Sequence, residues 1–314
     1  MDISSFLMIG NKESGKTTSM ISAYGKLSNH GVNGFKIESP DKATTSEFNS
    51  MYDDLKNGDY PLATQKRNSY LFDLYYKGAV VHKFEWKDFY GGIINETVTE
   101  SSRILKDDML SSSGMMIFFD AVKLYNNSID TKVRRIIHLI SQNFRSIEKP
   151  YFITIVVTKF DLLSDFQRND AEKWLNPLEP FLKAIDSSEY INVQIVPISC
   201  TSYGFINVEI PILYLLHGTM YNYCKWKSEE LEKGIQTVKE YDSNSGFFDD
   251  VISFVCGAPT YRDLAQQKAN ELNPQIDFYN QVLTSLNSLR SYFENIDLME
   301  NFNKVKFFNA KYNF

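Results

Sequence analysis

One short motif near the amino terminus restricts the fold of this chain more than any other feature. Residues 10–17 read Gly-Asn-Lys-Glu-Ser-Gly-Lys-Thr, a complete G-x-x-x-x-G-K-[ST] motif. The apolar residues 3–9 before it are typical of a buried strand, and apolar residues at helical spacing follow it as far as Gly31. The motif therefore lies at a strand-to-helix junction, which predicts an α/β fold with a phosphate-binding loop.

Each residue type in this loop has a role in holding phosphate. Gly10 and Gly15 permit a backbone path along which successive N–H groups face an anion. Lys16 places a positive charge on the β- and γ-phosphate oxygens, the Thr17 hydroxyl is a Mg²⁺ ligand, and the helix that follows adds the positive end of its dipole. The nucleotide-binding residues predicted here are Gly10, Asn11, Lys12, Glu13, Ser14, Gly15, Lys16, Thr17 and Thr18.

Composition excludes several other classes of protein. The chain has 314 residues, 43% of them hydrophobic, which is enough for a sizeable core in two domains or one enlarged domain. Its formal net charge of −6 offers no broad basic field for nucleic acid. The three cysteines form no C-x-x-C, so neither a disulfide framework nor a zinc site is indicated. With no secretory signal and no membrane-length apolar run, we expect a cytoplasmic protein without a transmembrane segment.

A hairpin and a short acidic motif follow the first helix. The aromatic and β-branched residues 70–76 and 80–86 predict two antiparallel strands joined by a turn at Lys77-Gly78. The second strand ends in Asp88-Phe89-Tyr90-Gly91, a D-x-x-G motif, and Thr64 precedes the hairpin in a loop. Residues 35–38 are interpreted as an extra strand, and residues 45–55 as a helix capped by Thr45 or Ser46.

Three more apolar strands complete the pattern, at residues 115–119, 151–157 and 192–197. The second leads into Thr158-Lys159-Phe160-Asp161 and the third into Ile198-Ser199-Cys200. A carboxylate such as Asp161 accepts the adjacent N1–H and N2–H₂ donors of guanine as a bidentate pair, whereas adenine presents no such pair.

The order of these motifs resembles that of the Ras-like, translation-factor-related P-loop GTPases over about residues 1–220. The resemblance implies a three-layer α/β domain with a mostly parallel sheet. It also implies GTP or GDP with Mg²⁺ as ligands, hydrolysis of GTP as a conformational switch, and a partner protein that reads the switch loops or the helical extension. The enlarged region before Thr64 and the apolar segment 210–216 also look like those of prokaryotic double-GTPase relatives.

The resemblance assigns roles to individual residues. Thr64 and Asp88 join Thr17 around Mg²⁺, and Gly91 senses the γ-phosphate through its backbone N–H. Lys16, Thr64 and Gly91 are thus the expected catalytic groups. The expected base-binding residues are Thr158, where the family more often has asparagine, with Lys159, Asp161, Ser199 and Cys200.

Two departures leave alternatives open. Gly92 occupies the position at which many family members carry the glutamine that orients the attacking water, so hydrolysis is expected to be slow, or the chain binds GTP without hydrolysing it. Asp120 follows an apolar strand, as the metal-holding carboxylate of many ATPases does, although Ala121 stands where a catalytic glutamate is expected. Arg67 is interpreted either as a phosphate-contacting arginine or as a solvated one.

The carboxyl-terminal third is predicted to be a helical extension, residues 221–314, that packs on the GTPase domain or on a partner. Helical patterns occupy residues 225–241, 247–255 and 261–272, and Asn273-Pro274 is expected to end the last of these. Apolar residues at intervals of three and four from Ile276 onwards predict a further amphipathic helix.

Overall fold

The computed structural model describes residues 3–61, 68–88, 98–201, 204–244 and 261–299. Its main sheet has seven strands, which run across the sheet in the order β2-β3-β4-β1-β5-β6-β7. They are β1 (Ser4–Gly10), β2 (Phe35–Glu38), β3 (Asn68–Tyr76), β4 (Ala79–Asp88), β5 (Gly114–Asp120), β6 (Tyr151–Thr158) and β7 (Ile191–Pro197). β3 runs antiparallel to both of its neighbours, and the other pairs are parallel. A separate small hairpin pairs β8 (Ser199–Thr201) with β9 (Gly204–Ile206).

Ten α-helices connect or follow these strands in the described part of the chain. They are α1 (Lys16–Asn29), α2 (Lys42–Lys56), α3 (Val98–Ser111), α4 (Ala121–Tyr125), α5 (Thr131–Asn143), α6 (Asp165–Asn169), α7 (Ala171–Leu175), α8 (Glu179–Asp186), α9 (Ile210–Asn244) and α10 (Tyr261–Asn295). Among them, none combines the length and the apolar character that a bilayer crossing requires.

The central strands form because their residues are largely apolar on both faces. Every residue of β1 and of β6 is buried, as expected for strands covered by helices on both sides. Leu7, Ile117 and Ile155 join one core cluster with residues of α3, α5 and α8. Because side chains alternate along a strand, Phe6 points to the opposite face, where it is also fully buried. The predicted three-layer α/β fold with a mostly parallel sheet is confirmed.

The predicted strand at residues 35–38 is confirmed as β2, but the predicted cap of the following helix is wrong. α2 begins at Lys42, and its cap is Asp41, whose carboxylate accepts hydrogen bonds from the backbone N–H groups of Ala43 (3.2 Å) and Thr44 (2.9 Å). The Asp41 carboxylate thus accepts hydrogen bonds from two of the free N–H groups in the first turn of the helix. The Thr45 hydroxyl accepts none of these N–H groups. That hydroxyl donates instead to the Asp41 carbonyl oxygen, 3.1 Å away.

The chain divides into two compact units. The first comprises Met1–Thr219 with Ser288–Phe314, and the second comprises Met220–Asn287. The sheet lies in the first unit, and the second contains the carboxyl-terminal part of α9 and the amino-terminal part of α10. This division groups the last described residues with the sheet, while the domain boundary near residue 220 remains a prediction.

The helical pattern of the carboxyl-terminal third is only partly as expected. The predicted break at Asn273-Pro274 is wrong, because α10 continues through Pro274. Packing outweighs the loss of the backbone hydrogen bond that proline cannot donate, because Leu272 and Val282 on either side of it are buried in the second unit. In addition, the Gln275 side chain donates a hydrogen bond to the Glu271 carbonyl oxygen at 3.0 Å. The helix predicted at 247–255 lies outside the described residues.

Candidate nucleotide-binding site

The phosphate loop is held at the carboxyl end of β1, in the middle of the sheet. Parallel pairing sets Met8 opposite Asp88 and Gly10 opposite Phe118, so the ends of β1, β4 and β5 meet at one edge. A Cβ on Gly10 would lie 2.6 Å from the Ser14 Oγ, and the close fit therefore requires glycine. Gly15 adopts a left-handed φ of 84° directly before α1, which glycine accepts without strain.

Lys16 lies folded into this loop. Its Nζ donates hydrogen bonds to the carbonyl oxygens of Gly10 (3.0 Å) and Asn11 (3.1 Å), and the residue is buried. Burial lowers the pKa of the Lys16 ammonium, and the nearby Asp88 carboxylate opposes that shift. The positive charge is thereby fixed at the end of the loop where the two carbonyls lie. Lys12 and Glu13 are exposed, and Thr18 is half-buried.

A hydroxyl and a carboxylate lie side by side next to the loop. The Thr17 Oγ1 donates to the Asp88 Oδ2 over 3.4 Å, and Asp88 is buried at the end of β4. Both are hard oxygen ligands, which suits Mg²⁺, because this ion is usually held by one or two protein oxygens together with water and phosphate oxygens. Within the described residues there is no cluster of three or more acidic, histidine or cysteine side chains that forms a complete metal site.

Asp120 has different partners. One carboxylate oxygen caps α4 by accepting the N–H groups of Val122 (3.0 Å) and Lys123 (3.2 Å). The other oxygen forms an ion pair with the Lys159 Nζ at 2.7 Å. Asp120 therefore acts as a helix cap and as the anchor of Lys159, while Asp88 is the carboxylate in contact with Thr17.

Thr158 connects the end of β6 to the phosphate loop. Its hydroxyl lies 2.9 Å from the Ser14 carbonyl oxygen and 3.1 Å from the Phe119 carbonyl oxygen, with geometry to donate to either. Thr158 is buried, and its methyl group also lies within 3.3 Å of the Cβ position of Gly15. The T-K-x-D segment and the phosphate loop are therefore neighbours, as the motif order predicts.

The other predicted base-binding residues gather beside Thr158. The Phe160 N–H donates to the Ile198 carbonyl oxygen at 3.2 Å, which holds the T-K-x-D turn against the segment that contains Ser199 and Cys200. Among the described residues, the Asp161 Oδ1 and the Ser199 Oγ are buried without a hydrogen-bond partner. Buried acceptors are normally paired, so an orphaned carboxylate oxygen here is suited to receive donors from a ligand.

The Cys200 thiol lies close to Ser22 and Asp161. Burial raises the pKa of the Cys200 thiol to about 12, a hydrogen bond with Ser22 opposes this shift, and the Asp161 charge adds to it. The thiol is therefore protonated at neutral pH.

Some predicted residues are not placed, and others were missed. Thr64, Gly91, Gly92 and Arg67 lie outside the described residues. Sequence reasoning missed Asp130, whose Oδ2 accepts a 3.2 Å hydrogen bond from the Asn11 side chain.

Tyr60 was also missed. It is exposed, and it lies close enough to Asp161 and Cys200 that their charges add to burial in raising its pKa. Its proximity to Thr64 along the sequence was the available signal.

The seven-stranded, mostly parallel sheet with the phosphate loop at the end of β1 has the α/β fold that the motif order predicts. No family model and no curated protein matches the sequence. Similar solved structures include a bacterial selenocysteine-specific elongation factor, EF-Sec, at 20% identity and a TM-score of 0.38, covering 69% of this chain and 29% of that one. Elongation factor SelB of Methanococcus maripaludis, in complex with the GTP analogue GppNHp, has 15% identity and a TM-score of 0.38 over 69% of this chain and 34% of its own.

A third similar structure is an ADP-ribosylation-factor-like GTP-binding protein, the small COPII coat GTPase Sar1 of Encephalitozoon cuniculi, in complex with GDP. It has 15% identity and a TM-score of 0.37, covering 71% of this chain and 83% of that one. The match spans about a third of the length of each elongation factor.

Proposed function

We propose that this protein binds guanine nucleotides with Mg²⁺ and hydrolyses GTP to GDP as a conformational switch. The observation that carries the proposal is the 2.9 Å approach of the Thr158 hydroxyl to the Ser14 carbonyl. This contact joins the segment that ends in Asp161 to the loop that contains Lys16. One ligand with a purine at one end and phosphates at the other spans both elements.

The base end is recognised through Asp161. Its buried Oδ1 has no described hydrogen-bond partner, and a carboxylate pairs with the N1–H and N2–H₂ of guanine. The Lys159 ammonium is anchored by Asp120 at 2.7 Å, which fixes the course of the Lys159 side chain beside the base-binding turn. Ser199 and Cys200 support the turn from the adjacent strand end.

The phosphate end is held by the loop N–H groups and by Lys16. Thr17 and Asp88 are the described residues that would hold Mg²⁺, which supplies positive charge to the phosphate oxygens when bound. Binding of a polyphosphate replaces the Gly10 and Asn11 carbonyls as partners of the Lys16 ammonium. The phosphate charge then offsets the burial that lowers the pKa of Lys16.

The hydrolytic step is an in-line attack of water on the γ-phosphate, during which Lys16 and the loop N–H groups stabilise the spreading negative charge. By the resemblance to the Ras-like family, Thr64 and Gly91 complete the site. Their loops become ordered when GTP is bound, which gives a conformational state that a protein partner recognises. The partner binds either these loops or the helical extension at residues 221–314. We place this activity in the cytoplasm.

A second candidate function is GTP binding with little or no hydrolysis. It is favoured by Gly92, which has no side chain with which to orient water. Phosphate release by the purified protein separates the two functions. Phosphate release that is lost when Lys16 is substituted supports GTP hydrolysis. If no phosphate is released, either by the purified protein alone or after addition of cell extract, GTP binding without hydrolysis is supported.

The nucleotide itself is tested by competition. GTP, GDP and ATP are titrated against a fluorescent GDP analogue bound to the purified chain. We expect GTP and GDP to displace it at concentrations at least about a hundredfold lower than ATP, as two charge-assisted hydrogen bonds to guanine require. Lys16→Ala serves as the control that lacks binding. Equal displacement by ATP contradicts the proposal and favours an ATPase.

A further inference from the structure

A groove lies between α5 and α8, on the same compact unit as the sheet. Its volume is about 670 Å³, within the range of ligand-binding clefts. Ile137 and Phe181, which are buried, form an apolar floor together with Ala184. Pro177 and Pro180 line the side formed by α8 and the turn before it.

The rim of this groove is positively charged. Arg134 and Arg145 line it and are exposed, and none of the described lining residues is acidic. Arg134 donates one hydrogen bond, at 2.9 Å, to the Asn127 side chain, which uses one of its five N–H donors. From Arg134 to Arg145 the cations extend over about 16 Å at the helical rise per residue.

We propose that this groove is a docking site for an acidic, amphipathic segment of a partner protein. Apolar side chains of the segment contact Pro177, Pro180 and Ala184, which lie above the buried Ile137 and Phe181, and its carboxylates pair with Arg134 and Arg145. The charge contrast supports this occupant, because a chain with a formal net charge of −6 here presents two exposed arginines and no acidic side chain among the described residues that line the groove. The inference concerns partner binding and is independent of nucleotide hydrolysis.

Other anionic partners fit the groove less well. A nucleic acid backbone pairs with cations but leaves an apolar floor uncovered, and a flat lipid surface does not enter a concave cleft. A helical segment of about three turns matches the spacing of the arginines and offers both kinds of side chain.

The test is a selection from a display library of peptides about 15 residues long, a length that covers the groove. The purified full chain is the target. We expect enriched peptides that carry Asp or Glu beside apolar residues. In fluorescence anisotropy they should bind Arg134→Glu/Arg145→Glu at least about tenfold more weakly, and Arg134→Lys/Arg145→Lys nearly as well as the wild type.

Two controls make the result specific. Arg134→Glu/Arg145→Glu and Lys149→Glu/Lys225→Glu each lower the formal net charge of −6 by four units, but Lys149 and Lys225 are exposed lysines outside the groove. The lysine-to-glutamate variant should therefore bind the peptides normally. Unchanged thermal melting and guanine-nucleotide affinity of the Arg134/Arg145 variants show that the fold and the nucleotide site are intact.

Three outcomes overturn the proposal. The first is enrichment of peptides without acidic residues. The second is peptide binding by Lys149→Glu/Lys225→Glu that is as weak as binding by Arg134→Glu/Arg145→Glu. The third is displacement of the peptides by oligothymidylate or by phosphatidylserine vesicles. If the wild-type chain binds the peptides but binds no guanine nucleotide in the competition assay, the proposed nucleotide function is contradicted and the docking proposal is not.

Discussion

The hydroxyl of Thr158 lies 2.9 Å from the carbonyl oxygen of Ser14, across 144 positions of the sequence. Ser14 is part of the phosphate loop, and Thr158 begins the segment that ends in Asp161. Because both residues are buried, water does not readily substitute for this hydrogen bond. This hydroxyl group therefore helps to fix the position of the loop relative to the proposed base-binding carboxylate, together with the parallel pairing of the strands.

Removal of that hydroxyl is expected to weaken nucleotide binding. Thr158→Val keeps the branched shape but leaves the Ser14 carbonyl without this donor, at a net cost of about 1–1.5 kcal/mol, or roughly tenfold in the dissociation constant of GDP. Thr158→Ser retains the donor and should bind nearly normally. Stopped-flow measurement with a fluorescent GDP analogue checks this, and equal affinities for all three proteins contradict it.

Asp161→Asn should change which purine is bound. An asparagine amide loses the two acceptor contacts to guanine, and its NH₂ group donates to the carbonyl that xanthine has in place of the guanine amine. We expect affinity for GTP to fall about a hundredfold and affinity for xanthosine triphosphate to rise, as measured by competition. Asp165→Asn, an exposed aspartate in α6, is the matched control. Unchanged GTP affinity of Asp161→Asn refutes the assignment.

The two candidate metal carboxylates are separable by chelation. In the wild type, EDTA is expected to accelerate GDP dissociation, because Mg²⁺ links the protein to the phosphates. Asp88→Asn should remove this response, since Asp88 is the carboxylate that contacts Thr17. Asp120→Asn should keep it, although loss of the Lys159 ion pair weakens binding overall. The reverse pattern favours the ATPase alternative built on Asp120.

Much of this arrangement follows from local sequence. Strands such as β1 and β6 are predictable because a short, continuous apolar run between turn signals is typical of a doubly covered strand. The phosphate loop follows from its motif. The contacts of Asp120 with Lys159 and of Asn11 with Asp130 do not, since they join residues 39 and 119 positions apart and depend on how the strand ends meet.

The wrong predictions have identifiable causes. Asp41 was passed over as a helix cap because Thr45 and Ser46 lie nearer to the apolar residues of α2, although the carboxylate bonds to two N–H groups. Pro274 was expected to end a helix because local propensity disfavours proline there, and burial of its neighbours overrides that preference. Propensity acts on each residue separately, whereas packing acts on the whole helix.

Two buried histidines should make the fold sensitive to acid. Burial lowers the pKa of His82 and of His217 to about 4, from 6.5 in the unfolded chain. Because the unfolded chain binds these protons first, stability is complete above pH 6.5 and is lost as the pH falls towards 4. At pH 5 the loss is about 2 kcal/mol for each histidine. Urea unfolding at pH 7.5 and pH 5 measures it.

Substitution isolates the contribution of each histidine. His82→Gln should unfold with a smaller difference between the two pH values, whatever its stability at pH 7.5. A His82→Gln protein with the same pH dependence as the wild type shows that acid acts through other groups.

The helix that follows the phosphate loop is packed so closely against α2 that a single methyl group should disturb it. A Cβ on Gly25 would lie 2.1 Å from the Tyr52 ring, which is itself buried. Gly25→Ala is therefore expected to lower the free energy of unfolding by about 1–3 kcal/mol through overpacking, although alanine is the better helix former. Gly25→Ala/Tyr52→Leu replaces the ring with a smaller side chain and should recover part of the loss. Urea unfolding of the wild type, Gly25→Ala, Tyr52→Leu and the double variant measures the coupling, and additive effects of the two substitutions contradict direct contact between these residues.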